Sequence, residues 1–324
     1  MPRKSSSTGS ASRQVPKLPK MWDAAQLADD AVQSQALFRL RRESELIAPD
    51  SSYAIAYGAL YTAAVEVVAC LPELRSGPAA AELLASWVER QDHGLVLRSL
   101  SGPPISEDDL QTLLQTPITS ARLRHDPDLA EALASLVWRS LDRYRFAWIV
   151  QDRQASPQDI HAAVVSTAVV AAIARTQTQR RSDERDQLED AVASVLTGIG
   201  LQPVRRNSAR LATTLQWPAP GHFMRHATLG EHNADFVIRL HDGRIAALEC
   251  KASNSALNSR KRLNKEAERD AKHWIEHFGA QVVPCVALRG VFDARLVEQA
   301  QKAGLFVFWS HRLGDLTTFI ESTR

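Results

Sequence analysis

Residues 234–240 are almost entirely apolar, as are residues 245–250, and only His241, Asp242, Gly243 and Arg244 stand between them. Two runs rich in Val, Ile and Phe around an Asp-Gly pair form the pattern of a β-hairpin. Beyond it the period changes. Residues 253–259 are a polar turn able to cap a helix, and the spacing predicts a helix over 260–278 that Gly279 stops. Residues 282–288 read as a buried strand, 294–303 as a helix ending at Gly304, and 305–309 as a last strand. Upstream, 183–197 reads as an acidic-then-apolar helix and 203–206 as a first strand, which completes an αβββαβ order.

The first half carries helical periodicity. Helices are predicted over 22–46, 52–71, 79–91, 107–114, 128–142 and 156–178, broken at Ala48-Pro49-Asp50, Gly102-Pro103-Pro104 and Arg153-Gln154-Ala155. Ser156-Pro157 is a helix start with proline in the first position. No internal repeat is visible. The pattern gives an α+β chain in three parts: a basic tail over 1–20, disordered by composition, a helical domain over 21–155, and a domain with a central mixed sheet over 156–324.

At 324 residues the chain is long enough for a real core in one large or two ordinary domains. No apolar run reaches the roughly eighteen to twenty residues of a membrane helix, and the N-terminus lacks a signal-peptide core, so no membrane association and a cytoplasmic protein are expected. Cys70, Cys250 and Cys285 have an odd count and no metal-type spacing, which favours reduced thiols over a disulfide framework or structural zinc. The net charge of +2 announces no partner, but the distribution is uneven. Arg3, Lys4, Arg13, Lys17 and Lys20 share the tail with no acid, and Arg260, Lys261, Arg262 and Lys265 cluster after the hairpin, at a helix N-terminus whose dipole adds to the positive field.

The hairpin carries the candidate chemistry. Side chains alternate along a strand, so Glu249 and Lys251 share a face and Cys250 points to the other. A buried carboxylate and ammonium imply either an open cleft with a metal or a plain ion pair. Asp235 on the preceding run adds a second hard oxygen donor, which suits a divalent cation used in phosphodiester hydrolysis. Register decides whether the two carboxylates meet. A two-residue loop sets Asp235 opposite Cys250; a three-residue loop with Gly243 at positive φ sets it opposite Glu249, and a shared metal selects the second.

Other clusters admit two readings. His222, His226 and His232 lie in a loop bounded by Gly and Pro; His222 and His226 have a four-residue spacing, but a loop place near a substrate phosphate suits the three better than metal ligation. Tyr53, Tyr57 and Tyr61 recur at a four-residue spacing that suits a core stripe better than a base-stacking platform. Arg139, Arg143 and Arg145 beside Trp138, Tyr144 and Trp148 fit either a DNA-facing surface or structural arginines supported by aromatic rings.

The order of elements, with Asp235 and Glu249-Cys250-Lys251 on the second and third strands, resembles the PD-(D/E)XK nuclease core. More narrowly, Glu249–Ser255 with Asn258–Asn264, then Phe278-Gly279, Val282-Val283-Pro284, Trp309-Ser310-His311, Thr178–Arg181 and Ser101–Ser106, is similar to the XamI-type family of type II restriction endonucleases. Ala234 stands where the signature has proline. The resemblance implies Mg²⁺-dependent double-strand cleavage of DNA at a short sequence, a homodimer, and a cognate DNA methyltransferase encoded nearby. Asp235, Glu249 and the Cys250 main-chain carbonyl would hold the metal and Lys251 would act on the water. Glu189 would be an outer-shell carboxylate, with Glu184, Asp186 and Asp190 as competitors. Ser253, Asn254, Asn258, Arg260, Lys261 and Arg262 would contact DNA. A repair or structure-specific nuclease on the same core, or a module that grips DNA without cutting it, are the alternatives.

Overall fold

Leu240 and Arg244 close the hairpin that the Asp-Gly pair predicts. The Leu240 N–H donates to Arg244 O at 2.9 Å, the Gly243 N–H donates to Leu240 O at 3.1 Å, and Gly243 has a φ of 88°. This is the three-residue loop, which a side chain at position 243 would strain. The computed structural model describes residues 16–75, 78–205 and 210–324.

The first part holds helices α1 (Ala24–Ile47), α2 (Ser52–Ala69), α3 (Pro78–Glu89), α4 (Gln91–Ser99), α5 (Glu107–Leu114), α6 (Ser120–His125), α7 (Pro127–Ser140), α8 (Ala147–Val150) and α9 (Pro157–Gly198). The second holds β1 (Gln202–Pro203), β2 (His222–Leu229), β3 (His232–Arg239), β4 (Ile245–Ser253), α10 (Ala256–Arg260), a π-helical turn (Lys261–Ala267), α11 (Glu268–Phe278), β5 (Val282–Gly290), α12 (Ala294–Lys302), β6 (Phe306–Trp309) and α13 (Gly314–Glu321). The six strands lie in sequence order in one mixed sheet. β2, β3 and β4 form an antiparallel meander; β1 lies parallel to β2, and β5 and β6 extend β4 in parallel. The α+β expectation holds at this level.

By contacts the chain divides into two units. One combines the chain up to Glu43 with Ser182–Arg324, and the other is Ser44–Arg181; the boundary read at 155/156 falls inside the second. Trp22, Leu27 and Ala31 pack with Val286, Leu288 and Trp309 of the sheet unit, and the Ser34 hydroxyl donates to Gly290 O at 2.8 Å. Of the tail over 1–20, residues 1–15 lie outside the described residues. Pro19 is buried, and Lys17 O accepts a hydrogen bond from the Arg244 guanidinium, so 16–20 form an attached strap.

Several expectations need correction. The helices over 156–178 and 183–197 are one helix, α9, because the polar stretch between them contains neither proline nor glycine to break it. Its capping is as expected: Ser156 Oγ accepts the Asp159 N–H at 3.1 Å, and Asp159 Oδ2 accepts the Ser156 N–H at 2.9 Å. Residues 222–229 are a strand rather than a loop. Helices α4, α6, α8 and α13 are not among the expected ones, and the helix expected from 260 begins at Ala256 behind the Ser255 cap. By length and composition, the stretch Ala24–Ala69 and α9 are apolar enough to cross a membrane. The former is broken at residues 48–51, and Ala163, Val164, Ala168, Ala171 and Ala172 of α9 are spent in the core of the helical unit.

Both faces of the sheet are covered. Phe236, Ile238, Leu248 and Cys250 pack with Leu188, Val192 and Leu196 of α9 and with α13, whereas Val237, Ile245 and Ala247 pack with Trp274 of α11. Glu249 and Lys251, alternating with Leu248 and Cys250, therefore belong to the α11 side.

A candidate metal centre at the end of the meander

The β3–β4 ladder runs from Arg239↔Ile245 to Phe236↔Leu248. Continued by one residue, it sets Asp235 opposite Glu249, the register that shared chemistry requires. At that point a side chain replaces the ladder: Asp235 Oδ2 accepts the Cys250 N–H at 2.7 Å. The carboxylate thus lies near the sheet plane, where groups from either face can reach it.

From the α9 side come two of them. Glu189, only 1% exposed, reaches His226 Nε2 with Oε2 at 3.1 Å, and one ligand atom each of Glu189, His226 and Asp235 all lie within 4.8 Å of one another. His226 faces Asp235 across the β2–β3 pairing, where the ladder is interrupted between Arg225↔Phe236 and Ala227↔Ala234. Its φ is 51°, a left-handed conformation inside a strand, costly for a residue with a Cβ and the kind of strain that accumulates at functional sites. The strain has a sequence consequence. Phe223 faces the α9 core while Ala227 and Leu229 face the opposite core, so the two-residue alternation fails in β2 and the segment looks like a loop.

Glu189 carries one oxygen in search of a partner. Its Oε2 accepts from Arg225 Nη2 at 3.2 Å, but the buried Oε1 has no hydrogen bond and only Arg185 Nε at 3.5 Å. Arg225 also donates to Asp190 at 3.0 Å, while Glu184 is turned to Arg289 at 3.0 Å and to Arg41 at 3.4 Å, and Asp186 pairs with Arg185. Of the acidic residues weighed on this helix, Glu189 alone joins the cluster with Asp235.

On the α11 side Glu249, 5% exposed, accepts from Lys251 Nζ at 2.5 Å. Burial pushes the Glu249 carboxyl above the usual glutamate range, with Lys251 opposing and Asp235 adding to the shift. Burial acts to lower the Lys251 ammonium, yet the charge and hydrogen bond of Glu249, with the charges of Asp235 and Glu266, together outweigh it and hold Lys251 above its ordinary value. Glu266, at 3.9 Å from Lys251 Nζ, is presented by the π-helical turn. Glu266 carries no signal in the sequence, and His226 is there only one of three loop histidines, disfavoured as a metal ligand; the irregular backbone that places each has no periodic signature.

The remaining expected residues divide. Cys250 is buried, its thiol pushed well up by burial, so only its main chain is available to the site. Ser253 is buried and donates to Ser255 O at 2.8 Å; Arg262 donates to Ala252 O. Asn254 accepts from Asn258 Nδ2 at 2.8 Å, and both are exposed, as are Arg260 and Lys261.

Two hard carboxylates and an imidazole converge on one point as donors that could hold a cation, beside a carboxylate–ammonium pair suited to handling a proton. The sequence model of the XamI restriction endonuclease family matches residues 80–309, which include all of these positions. The chain belongs to that family. Within it, the type II restriction enzyme XamI of Xanthomonas campestris pv. amaranthicola is 34% identical over 272 residues, covering 83% of this chain and 97% of that enzyme. No solved structure matches the chain.

Proposed function

We propose that this member of the XamI family is a type II restriction endonuclease that hydrolyses both strands of duplex DNA at a short specific sequence with Mg²⁺, on a PD-(D/E)XK-like core. The observation that carries the reading is the convergence of Glu189, His226 and Asp235 at the strand end where Asp235 stands opposite Glu249. The donors fit a cation: Glu189 keeps a buried oxygen that makes no hydrogen bond and has only Arg185 Nε at 3.5 Å, and a buried carboxylate oxygen left without a hydrogen bond is costly. Asp235, Glu189 and His226 would hold the ion, with Glu249 and the Cys250 carbonyl next to them. A divalent cation there supplies charge neutralisation at the scissile phosphate and a more acidic water.

The protein's own groups do the rest. Lys251, held charged by Glu249, is placed to donate to the attacking water and to stabilise negative charge as it grows on phosphorus. Glu249, whose carboxyl is raised, is placed to exchange a proton with Lys251 at 2.5 Å. Exposed Arg260 and Lys261, where α10 passes into the π-helical turn after β4, draw the DNA backbone. A homodimer meets the two strands of a palindromic duplex with one site each, and a cognate methyltransferase encoded nearby would protect the host sequence. The place of action is the cytoplasm.

The test is incubation of the purified protein with a sequenced plasmid and Mg²⁺, followed by mapping of the ends. Discrete fragments with a common terminal sequence, abolished by EDTA, are expected. An intact plasmid, or cleavage only at ends, forks or damage, overturns the reading.

A further inference from the structure

Three arginines at the end of the α7 region have two readings in the sequence, and the structure divides them. Arg145 is a brace. Its Nε donates to Asp142 Oδ2 at 2.9 Å, Nη1 to Ser99 O at 2.8 Å and Thr167 Oγ1 at 3.1 Å, and Nη2 to Ser101 O at 2.7 Å. Asp142 Oδ1 accepts the Tyr144 N–H at 2.9 Å and the Arg145 N–H at 3.3 Å, and Ser101 pairs with Leu141 in an antiparallel bridge. The backbone of this corner is therefore fixed by charged hydrogen bonds in partly buried surroundings, the strongest kind available to it.

The side chains that the corner presents are free. The Tyr144 ring is 96% exposed. Arg143 is exposed and has no partner among the described residues, and Arg139, also exposed, donates only from Nε to Ser135 O at 3.3 Å. They rim an open cleft of about 780 Å³ whose far wall is α5, with Asp109, Thr112 and the exposed Leu113. Asp142 is already neutralised by Arg145, so the arginine side of the cleft is cationic and Asp109 keeps anions to that side.

A bare aromatic ring and a leucine beside two unneutralised guanidinium groups on a rigid frame match a nucleic-acid strand, which presents flat apolar bases and sugars along a line of phosphates. We infer that this cleft is a second DNA-contact site, on the helical unit, where Arg139 and Arg143 take phosphates and Tyr144 packs against a base or sugar. The inference rests on the reading of the protein as a DNA-cutting enzyme. It assigns the helical unit a direct part in gripping the substrate.

The test uses the full chain, a labelled duplex and metal-free buffer, with affinity followed between about 50 and 200 mM salt. Each phosphate contact contributes about 0.9 to the slope of log K against log salt, so the Arg139→Ala/Arg143→Ala variant should lower it by about 1.8. Arg143→Glu should weaken binding further at low salt. Tyr144→Ala should weaken binding with the slope unchanged, and Tyr144→Phe should restore it. All three positions tested are exposed, so unchanged thermal unfolding is the control for folding. Wild-type slope and affinity in all the variants overturn the inference. Plasmid cleavage by the wild type is run alongside: a wild type that cuts while the variants bind normally condemns the cleft alone, and a wild type that neither cuts nor binds condemns both readings.

Discussion

The carboxylate of Asp235 occupies the place of a backbone carbonyl, accepting the Cys250 N–H at 2.7 Å where the β3–β4 ladder would otherwise continue. Structure and chemistry therefore compete for one side chain, and two substitutions separate them. Asp235→Asn keeps an oxygen for the N–H but loses the charge; Asp235→Ala loses both. Both should abolish cleavage, whereas only the alanine variant should be destabilised, by about 1–3 kcal/mol for an orphaned buried donor. Urea denaturation of the two variants beside a plasmid assay checks this; equal stability, or cleavage surviving in either, rejects it.

Glu189→Gln should weaken the apparent Mg²⁺ affinity by about 10–100-fold, the scale expected for a residue holding or orienting a metal ligand. The Mg²⁺ concentration for half-maximal cleavage measures it. An unchanged requirement would return Glu189 to the role of counter-ion for Arg225 and Arg185.

His226 adds a nitrogen donor, and imidazole suits Mn²⁺ better than Mg²⁺. The wild type should reach half-maximal cleavage at lower Mn²⁺ than Mg²⁺, and His226→Ala should narrow that gap by weakening Mn²⁺ more. If the two ions lose affinity equally in the variant, the imidazole is not a ligand.

Asp142, in the helical unit, offers a pH test that uses none of the candidate metal residues. Burial raises its carboxyl, but Arg145 and the Tyr144 and Arg145 amides outweigh that and hold it below the usual carboxylate range. A depressed carboxyl contributes stability that is present above the unfolded-state value and is lost as pH falls through the folded value. Asp142→Asn should therefore cost about 1–3 kcal/mol near neutral pH, as for a hydrogen bond to a charged group, and progressively less as acid protonates the wild-type residue. Denaturant titrations at several pH values check it; a pH-independent difference sinks the ion-pair account.

What could be read in advance was the regular part of the molecule. The hairpin register followed from one Asp-Gly pair and the requirement that Asp235 meet Glu249, and the stops at Gly279 and Gly304 were visible as glycines after apolar periodicity. Glu189 could be named only as one acid among Glu184, Asp186 and Asp190, because spacing on a helix does not tell which one faces inward; the packing of Leu188 and Val192 does. His226 shows in the sequence only as one of three loop histidines, disfavoured as a ligand. Its left-handed φ destroys the alternation by which a strand is recognised, so the deviation that brings it to Asp235 also hides β2.

The π-helical turn at Lys261–Ala267 amounts to one extra residue in the frame of a helix. Before it, Ser255 caps a helix leaving β4; after it, Ala271 and Trp274 must still meet the sheet. Removing any one residue from the turn would restore ordinary winding and rotate one end by about 100° against the other. Either Glu266 would swing away from Lys251, or Trp274 would lose both its pocket and its hydrogen bond to Leu229 O at 3.1 Å. Length here is as strict a constraint as identity: conservative replacements along 261–267 should be borne, and a single deletion should not.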